Sequence, residues 1–207
     1  LAELHHKDRA LVFPSAYTAN QSTISILCKN IEEIEIFSDE LNHASLIEGI
    51  RNSKAKYHIF KHNNVVDLEK KLKTIDIDKP KLIVCESIYS MEGIRSPLKD
   101  IVKLAKKYNA LTYLDEVHSV GLYGPSGSGI AAELGISNDI DIINGTLSKS
   151  FGQMGGYIAA NEDLIDYIRS FAPGFIFTSS INPSVAAASI KSIEISKVAE
   201  TLRLKIR

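Results

Sequence analysis

The chain has 207 residues, of which 44% are hydrophobic and 24% are charged, so it is long enough for one large domain with a substantial core. Its 24 basic and 25 acidic residues nearly cancel and are interspersed, which excludes a basic surface for nucleic acid or for an anionic membrane. The two cysteines form no CxxC pair, and no apolar run approaches the roughly 18 residues that cross a bilayer, so we predict reduced thiols and no membrane span.

The two ends of the chain suggest a piece of a longer protein. The sequence does not begin with methionine, and residues 1–7 have the pattern of a helix that is already in progress. Residues 191–207 stop within an amphipathic pattern. We therefore expect residues 1–207 to be a fragment.

The first elements predict a phosphate pocket. Residues 10–13 are a short apolar strand candidate, and a turn of small residues at 14–20 leads into a helical pattern. Free N–H groups at a helix N-terminus bind anions, so we centre the pocket on Ala16 and Tyr17. The alternative is an ordinary helix capped by a serine.

A histidine follows the second predicted strand. Residues 31–37 alternate apolar and acidic side chains, which predicts a half-buried strand, and a helix begins near residue 46. His43 lies in the loop between them, where a flat imidazole could stack on a flat cofactor ring. The alternative is a surface or helix-capping histidine.

The middle of the chain continues this alternation of strands and helices. We predict a strand at 56–60, a helix at 65–72, a buried strand at 81–85, a loop at 86–93 and a helix opened by Pro97 at 98–108. His58 and His62 have no other ligand at metal-binding spacing, so neither is predicted to bind a metal.

Two segments at strand ends carry the predicted chemistry. Strands at 110–114 and 140–143 lead to Asp115 and His118 and to Lys149, and open α/β sheets place their sites at such ends. A lysine among small residues suits a partly desolvated amine that forms a Schiff base. An acid and a histidine nearby would hold a bound ring, so we predict a pyridoxal phosphate (PLP) enzyme. The alternative, that Asp115 and His118 bind a metal, lacks a third ligand.

The last elements complete the predicted fold. Residues 155–160 form a strand that we expect to be antiparallel to its predecessor, because the loop between them is short. A helix at 161–171, a turn and short strand at 173–180, and a long helix from Pro183 follow. This pattern predicts an α/β fold, a mostly parallel sheet with helices on both faces.

Five motifs in the same order resemble the α-oxoamine synthases, which are fold-type I PLP enzymes that condense an amino acid with an acyl-CoA. They are Asn42-His43, Tyr89-Ser90-Met91, Leu114 to His118, Gly145 to Lys149, and Gly174 to Ser179. The similarity extends over nearly the whole chain. It implies that residues 1–207 are the PLP-binding large domain, without the N-terminal segment and the C-terminal small domain of that family.

The resemblance implies four catalytic residues. Lys149 matches the lysine that forms a Schiff base with PLP and later removes a proton from the glycine Cα. Asp115 matches the acid that pairs with the pyridine nitrogen. His118 matches the residue that hydrogen-bonds the ring 3′-oxygen, and His43 the residue that stacks on the ring.

Further binding residues are implied in the same way. Ser90 lies near the ring 3′-oxygen and the substrate, and Thr146 binds phosphate together with the amides of Ala16 and Tyr17. Ser38 occupies a position that contacts the acyl-CoA in the family.

The resemblance also implies a homodimer with its active sites at the subunit interface, because Thr178 and Ser179 match residues that reach the phosphate of the neighbouring subunit. The motif details favour the branch that condenses glycine with succinyl-CoA, the first step of haem synthesis. This branch is cytoplasmic in bacteria and mitochondrial in eukaryotes. The alternatives are glycine with acetyl-CoA, alanine with pimeloyl-CoA, or a fragment that is only a non-catalytic PLP-binding dimerisation core.

Overall fold

The computed structural model describes residues 1–206, in which strands and helices alternate along the chain. The strands are β1 (Arg9–Phe13), β2 (Glu35–Asp39), β3 (Lys56–Phe60), β4 (Lys81–Glu86), β5 (Leu111–Asp115), β6 (Ile142–Thr146) and β7 (Gly156–Ala160). The helices are α1 (Ala2–His5), α2 (Ala16–Asn30), α3 (Ala44–Ser53), α4 (Val65–Leu72), α5 (Leu98–Lys107), α6 (Ile130–Glu133), α7 (Glu162–Phe171), α8 (Pro173–Ile176), α9 (Pro183–Val198) and α10 (Glu200–Ile206). Across residues 1–206, no helix combines the length and the apolar character that crossing a bilayer requires.

All seven strands form one sheet in the order β1-β7-β6-β5-β4-β2-β3. The pairs among β2, β3, β4, β5 and β6 are parallel. β7 is antiparallel to both of its neighbours, β6 and β1, so β1 runs in the same direction as β6. The sheet is therefore mostly parallel, as predicted, and the expected antiparallel strand at 155–160 is confirmed as β7.

Helices cover both faces of the sheet, which also confirms the prediction. On β4, Leu82 and Val84 pack in the cluster that includes α2, α3 and α7. Ile83 and Cys85 point the other way, into the cluster that includes α4, α5 and α6. A strand that is buried on both faces has an uninterrupted apolar sequence, as this one does.

The second strand differs from its prediction. Alternation at 31–37 predicted a half-buried strand, but β2 begins at Glu35 and all five of its residues are buried. The reason is its position between β4 and β3, with helices on both sides. The carboxylate of Glu35 is compensated at the sheet end by His58 at 2.5 Å and by Lys56 at 3.3 Å.

The strand predicted within residues 173–180 is wrong. Residues 173–176 form the short helix α8, with Pro173 in its first turn. Proline suits that position, because its fixed φ is helical and the missing N–H has no intrahelical partner there. Pro97 likewise precedes α5 as its N-cap residue.

Gly145, near the end of β6, makes a close contact with an aromatic ring on the neighbouring strand β7. Gly145 lies against the ring of Tyr157, and a Cβ atom built on Gly145 would be 2.3 Å from the ring Cζ. The tyrosine cannot retreat, because it is fully buried and its hydroxyl is bonded to His5 Nε2 at 2.8 Å. Gly145 therefore allows β6 to lie directly on a fixed aromatic ring.

We expect Gly145→Ala to lower the free energy of unfolding by about 1–3 kcal/mol, the range for overpacking a well-packed core. Chemical denaturation followed by circular dichroism would measure the loss. Gly135→Ala is the control, because Gly135 has a φ of +70° but open space around it, so only backbone strain of about 1 kcal/mol is expected there. If Tyr157→Leu does not reduce the cost of Gly145→Ala in the double variant, the ring is not the cause.

Candidate active site

The loops after β1, β2, β4, β5 and β6 open at one edge of the sheet, because these five strands run in the same direction. A cavity of about 230 Å³ lies at this edge. One part of the cavity, around His43 and Glu86, lies where the strand order reverses between β2 and β4, which is the usual ligand site of an open α/β sheet. The lining residues are Ser15, Ala16, Tyr17, Asn20, His43, Ser45, Glu86, Asp115, Val117, His118, Thr146, Ser148 and Lys149.

Asp115 provides a buried carboxylate in this cavity. It is the last residue of β5 and is 4% exposed. Its Oδ1 accepts a hydrogen bond from the Val117 N–H at 2.8 Å, and its Oδ2 accepts from Asn20 at 2.7 Å and from Asn144 at 3.2 Å. Burial raises the pKa of Asp115, and the hydrogen bonds from Asn20 and Val117 oppose this rise because they favour the ionised form.

Glu86 is a second buried acid beside Asp115. The two residues are paired in register on the adjacent strands β4 and β5. Glu86 Oε1 accepts a hydrogen bond from the His43 N–H at 2.6 Å. Burial and the neighbouring charge of Asp115 raise the pKa of Glu86 to about 8. Glu86 is therefore protonated at neutral pH, whereas at Asp115 several donors oppose the effect of burial.

Lys149 and His118 both line the cavity. The Lys149 side chain is exposed, whereas we expected partial desolvation, because the turn at 148–150 projects from the sheet edge. Within residues 1–206 its ammonium group has no hydrogen-bond or ion-pair partner. His118 is half-buried, and burial, followed by the charge of Lys149, lowers its pKa.

His43 caps a helix, as its alternative interpretation held, and it also lines the cavity, while its stacking on a ring stays a prediction. It is the N-cap residue of α3, and its Nδ1 accepts from the Ser45 N–H at 3.2 Å. The same nitrogen is 2.8 Å from the Ser45 hydroxyl. The imidazole faces the ring of Tyr17 edge-on, with the ring centroids 6.3 Å apart.

The start of α2 presents backbone donors to the cavity. Ser15 caps the helix, since its Oγ accepts from the Thr18 N–H at 3.0 Å. The N–H groups of Ala16 and Tyr17 precede the first intrahelical hydrogen bond and remain available to a ligand. The buried hydroxyl of Thr146 lines the same cavity. The serine cap and an anion site are therefore compatible.

Four of the predicted site residues lie outside this cavity. Ser38 is buried, accepts from Asn42 Nδ2 at 2.9 Å, and lines a separate cavity of about 100 Å³ near the β2–β3 edge. Ser90, Thr178 and Ser179 are exposed on loops. The chain thus brings together Ala16, Tyr17, His43, Asp115, His118, Thr146 and Lys149.

Sequence analysis missed four polar residues that shape the site. Glu86 and Asn144 lie at or near the ends of buried strands, as Asp115 does, so the strand-end pattern could have identified them. Asn20 and Ser45 lie on helices, and nothing in the local sequence separates them from other polar helix residues. Only the packing of α2 and α3 against the strand ends brings them to Asp115 and His43.

Larger clefts occur elsewhere on the surface. One of about 810 Å³ lies between the C-terminal helices and the loop at 124–126, and is lined in part by Arg95 and Glu133, which form an ion pair. It lacks the buried carboxylate and unpaired lysine of the smaller cavity. In the described part of the chain, no group of three His, Cys, Asp or Glu side chains could hold a metal ion.

Comparisons with known proteins identify the family of the chain. The whole chain, residues 1–207, matches the family described as aminotransferase class I and II. It is 56% identical over 205 residues to the 5-aminolevulinate synthase of Rickettsia typhi, covering 99% of this chain and 50% of that protein. It is 52% identical over 204 residues to the mitochondrial 5-aminolevulinate synthase of Schizosaccharomyces pombe, covering 98% and 37%.

A solved structure described as SPT with a PLP internal aldimine superposes with a TM-score of 0.93 at 36% identity. The match covers 98% of this chain and 50% of the other. The chain therefore spans about half the length, or less, of the relatives that it matches.

We expect Glu86→Gln to flatten the dependence of stability on pH. With its pKa raised from 4.5 to about 8, Glu86 is protonated in the folded protein and ionised in the unfolded chain between these values. Unfolding then releases a proton, so this group makes the folded protein less stable as the pH rises through that window. Glutamine cannot ionise and can still accept the His43 hydrogen bond.

Urea denaturation from pH 5 to pH 8 measures this effect. Relative to wild type, the variant should gain on the order of 1 kcal/mol or more at pH 8. Glu32→Gln, which removes an exposed carboxylate, is the matched control and should leave the profile unchanged. Parallel profiles for wild type and Glu86→Gln would mean that Glu86 is already ionised in the folded protein.

Proposed function

The chain belongs to the aminotransferase class I and II family, and we propose that it is the large domain of a PLP-dependent acyltransferase. The proposed reaction condenses glycine with succinyl-CoA and yields 5-aminolevulinate, CoA and carbon dioxide. This would be the first step of haem and tetrapyrrole synthesis.

One observation carries the proposal. The unpaired amine of Lys149 and the buried carboxylate of Asp115 open into the same cavity. An amine that can form a Schiff base and a carboxylate that can hold a ring nitrogen are thus available to a single ligand.

The residues of the cavity suit the cofactor. When bound, PLP supplies an aldehyde for amines and a ring that accepts the electrons of a carbanion. Burial raises the pKa of Asp115 and the hydrogen bonds from Asn20 and Val117 oppose this rise, so its carboxylate would pair with a protonated ring nitrogen beside it. Lys149 would hold the cofactor and, once released by glycine, take a proton from the glycine Cα.

The polar groups around the cavity would fix the orientation of the cofactor. The N–H groups of Ala16 and Tyr17, with the hydroxyl of Thr146, would hold the phosphate. The lowered pKa of His118 keeps its imidazole neutral, so it can donate one N–H to the ring 3′-oxygen. The imidazole of His43 would pack on the ring face.

The choice of substrates rests on the relatives. The two quoted proteins that are 52% and 56% identical are both named 5-aminolevulinate synthase, whereas the SPT structure is 36% identical. We therefore assign glycine and succinyl-CoA in preference to the acetyl-CoA and pimeloyl-CoA reactions. For Ser38 we propose contact with the acyl-CoA, and for Ser90 contact with the substrate and the ring oxygen.

We also propose a homodimer in which Thr178 and Ser179 bind the phosphate in the neighbouring subunit. Both residues are exposed and line no part of this chain's own cavity. Phe177 beside them is 82% exposed, and Phe171 is 55% exposed. Exposed aromatic side chains around such a segment are typical of a protein interface.

Further residues of the full-length protein would form the N-terminal segment and the C-terminal small domain. For the compartment, we propose the cytoplasm in a bacterial cell and the mitochondrial matrix in a eukaryotic one. The word mitochondrial in the name of the S. pombe relative supports the second assignment.

Cofactor attachment is tested with Lys149→Ala. The wild-type protein mixed with PLP should develop the visible absorption band of a lysine-bound cofactor, and the variant should lack it because the attaching amine is gone. Borohydride reduction followed by peptide mass mapping would locate the label. Lys29→Ala, which removes an exposed lysine far from the cavity, should keep the band. A label on other lysines, with none on Lys149, would contradict the proposal.

Substrate choice is tested in the full-length protein. Glycine is supplied with succinyl-CoA or acetyl-CoA, and alanine with pimeloyl-CoA, and free CoA and the amino ketone product are measured. We expect 5-aminolevulinate from succinyl-CoA and at least about tenfold lower kcat/KM for the other pairs, a discrimination of about 1.4 kcal/mol. A faster reaction with another pair would reassign the enzyme within its family, and no reaction with any pair would indicate a non-catalytic core.

A further inference from the structure

Asn20, a buried residue of helix α2, makes three side-chain hydrogen bonds within the site. It lies in the second turn of α2 and is 1% exposed. Its Nδ2 donates to Asp115 Oδ2 at 2.7 Å and to Ser45 Oγ at 2.9 Å. Its Oδ1 accepts from the Tyr113 hydroxyl at 2.8 Å. Every hydrogen of the amide group and its oxygen are therefore engaged.

The orientation of this amide is determined by its partners. The amide nitrogen can only donate, and it faces Asp115 Oδ2, which also accepts from Asn144. The oxygen then faces Tyr113, whose hydroxyl can donate to it. Tyr113 is fully buried in the middle of β5, so it anchors the amide from inside the core.

The Ser45 hydroxyl connects the Asn20 amide to His43, because it contacts both side chains. Because Ser45 Oγ accepts from Asn20, its own hydrogen is free to be donated to His43 Nδ1 at 2.8 Å. The Ser45 N–H makes a longer contact with the same nitrogen at 3.2 Å, so the hydroxyl is the stronger of the two donors to His43 Nδ1. The proton of the neutral imidazole is therefore on Nε2.

We propose that Asn20 is a positioning residue that aligns the Asp115 carboxylate and the His43 imidazole with each other for the bound cofactor. This inference rests on the proposed function, because it assigns the two aligned groups to one ring. Through a single side chain, α2 connects the end of β5 to the start of α3. The part of α2 that supplies the phosphate donors thus also orients the groups assigned to the ring.

A purely structural role for Asn20 makes a different prediction. Loss of a buried amide would then lower stability, while the Asp115 titration, the His43 tautomer and the affinity for PLP would stay unchanged. Positioning requires all three to change. Asn20→Leu separates the two roles, because leucine has nearly the same volume but cannot form hydrogen bonds.

The first experiment uses the cofactor-free full-length protein and NMR. In Asn20→Leu we expect the midpoint of the Asp115 carboxyl titration to move to higher pH, because a donor to its ionised form is lost. The His43 ring should lose part of its preference for the Nε2–H tautomer, because the Ser45 hydroxyl, once released by Asn20, can turn away from Nδ1 and leave only the longer N–H contact. Ser45→Ala should produce only the change at His43, since it leaves the bond between Asn20 and Asp115 intact. An unchanged midpoint and tautomer in Asn20→Leu would overturn the inference.

The second experiment measures PLP binding by absorbance. We expect the affinity of Asn20→Leu to fall about 10- to 100-fold, which corresponds to the loss of one hydrogen bond to a charged group. Ser53→Ala removes a comparable buried hydrogen bond at the far end of α3 and should leave the affinity unchanged. Equal affinities for wild type and Asn20→Leu would overturn the inference.

Two further outcomes separate the explanations. If wild type binds no PLP, the proposed function fails, and with it the assignment of these groups to a ring. If Asn20→Leu does not fold, Tyr113→Phe replaces it, because this variant frees the amide oxygen while retaining the asparagine. Smaller changes of the same sign in Tyr113→Phe would support positioning, and no change would contradict it.

Discussion

The structure depends on one constraint, which is the burial of the Asp115 carboxylate at the end of the central strand β5. An ionised group in the interior is strongly destabilising unless directed donors surround it. Here the donors come from three separate places: Asn20 on α2, Asn144 on β6 and the backbone N–H of Val117. Helix α2 and the neighbouring strand β6 therefore have to meet β5 with their polar groups aligned. The cavity is the space that remains beside this cluster.

The direction of the strands explains why so many loops reach that space. β7 is reversed, and its reversal places β1 at the edge of the sheet in the same direction as β6. The start of α2 consequently faces the loop that carries Lys149. Glycine allows this close approach, because a Cβ atom on Gly156 of β7 would be 2.0 Å from the backbone nitrogen of Ala16. Small residues next to the site thus have a steric role.

The two adjacent acids show how one environment separates two similar groups. Glu86 and Asp115 lie side by side, yet several donors favour the charged form of Asp115, while Glu86 accepts one backbone N–H and lies in its neighbour's field. Two like charges on paired residues of adjacent strands repel each other strongly in a buried site, so protonation of one residue removes the repulsion. The hydrogen bond from the His43 N–H to Glu86 also connects the end of β4 to the start of α3. Stability and the arrangement of the cavity therefore depend on the same polar groups.

The sequence by itself determined the features that depend on local patterns. Turn residues bound β3 and α4, so both were predicted to the residue, and apolar runs placed Asp115 and Lys149 at strand ends. The prediction at 173–180 failed because proline and small residues fit a short helix as well as a turn. Asn20, Ser45 and the pairing of Glu86 with Asp115 were decided only by the tertiary structure. Asn20 and Asp115 are 95 positions apart, and a hydrogen bond at that separation depends on how helices pack on the sheet, which no local pattern encodes.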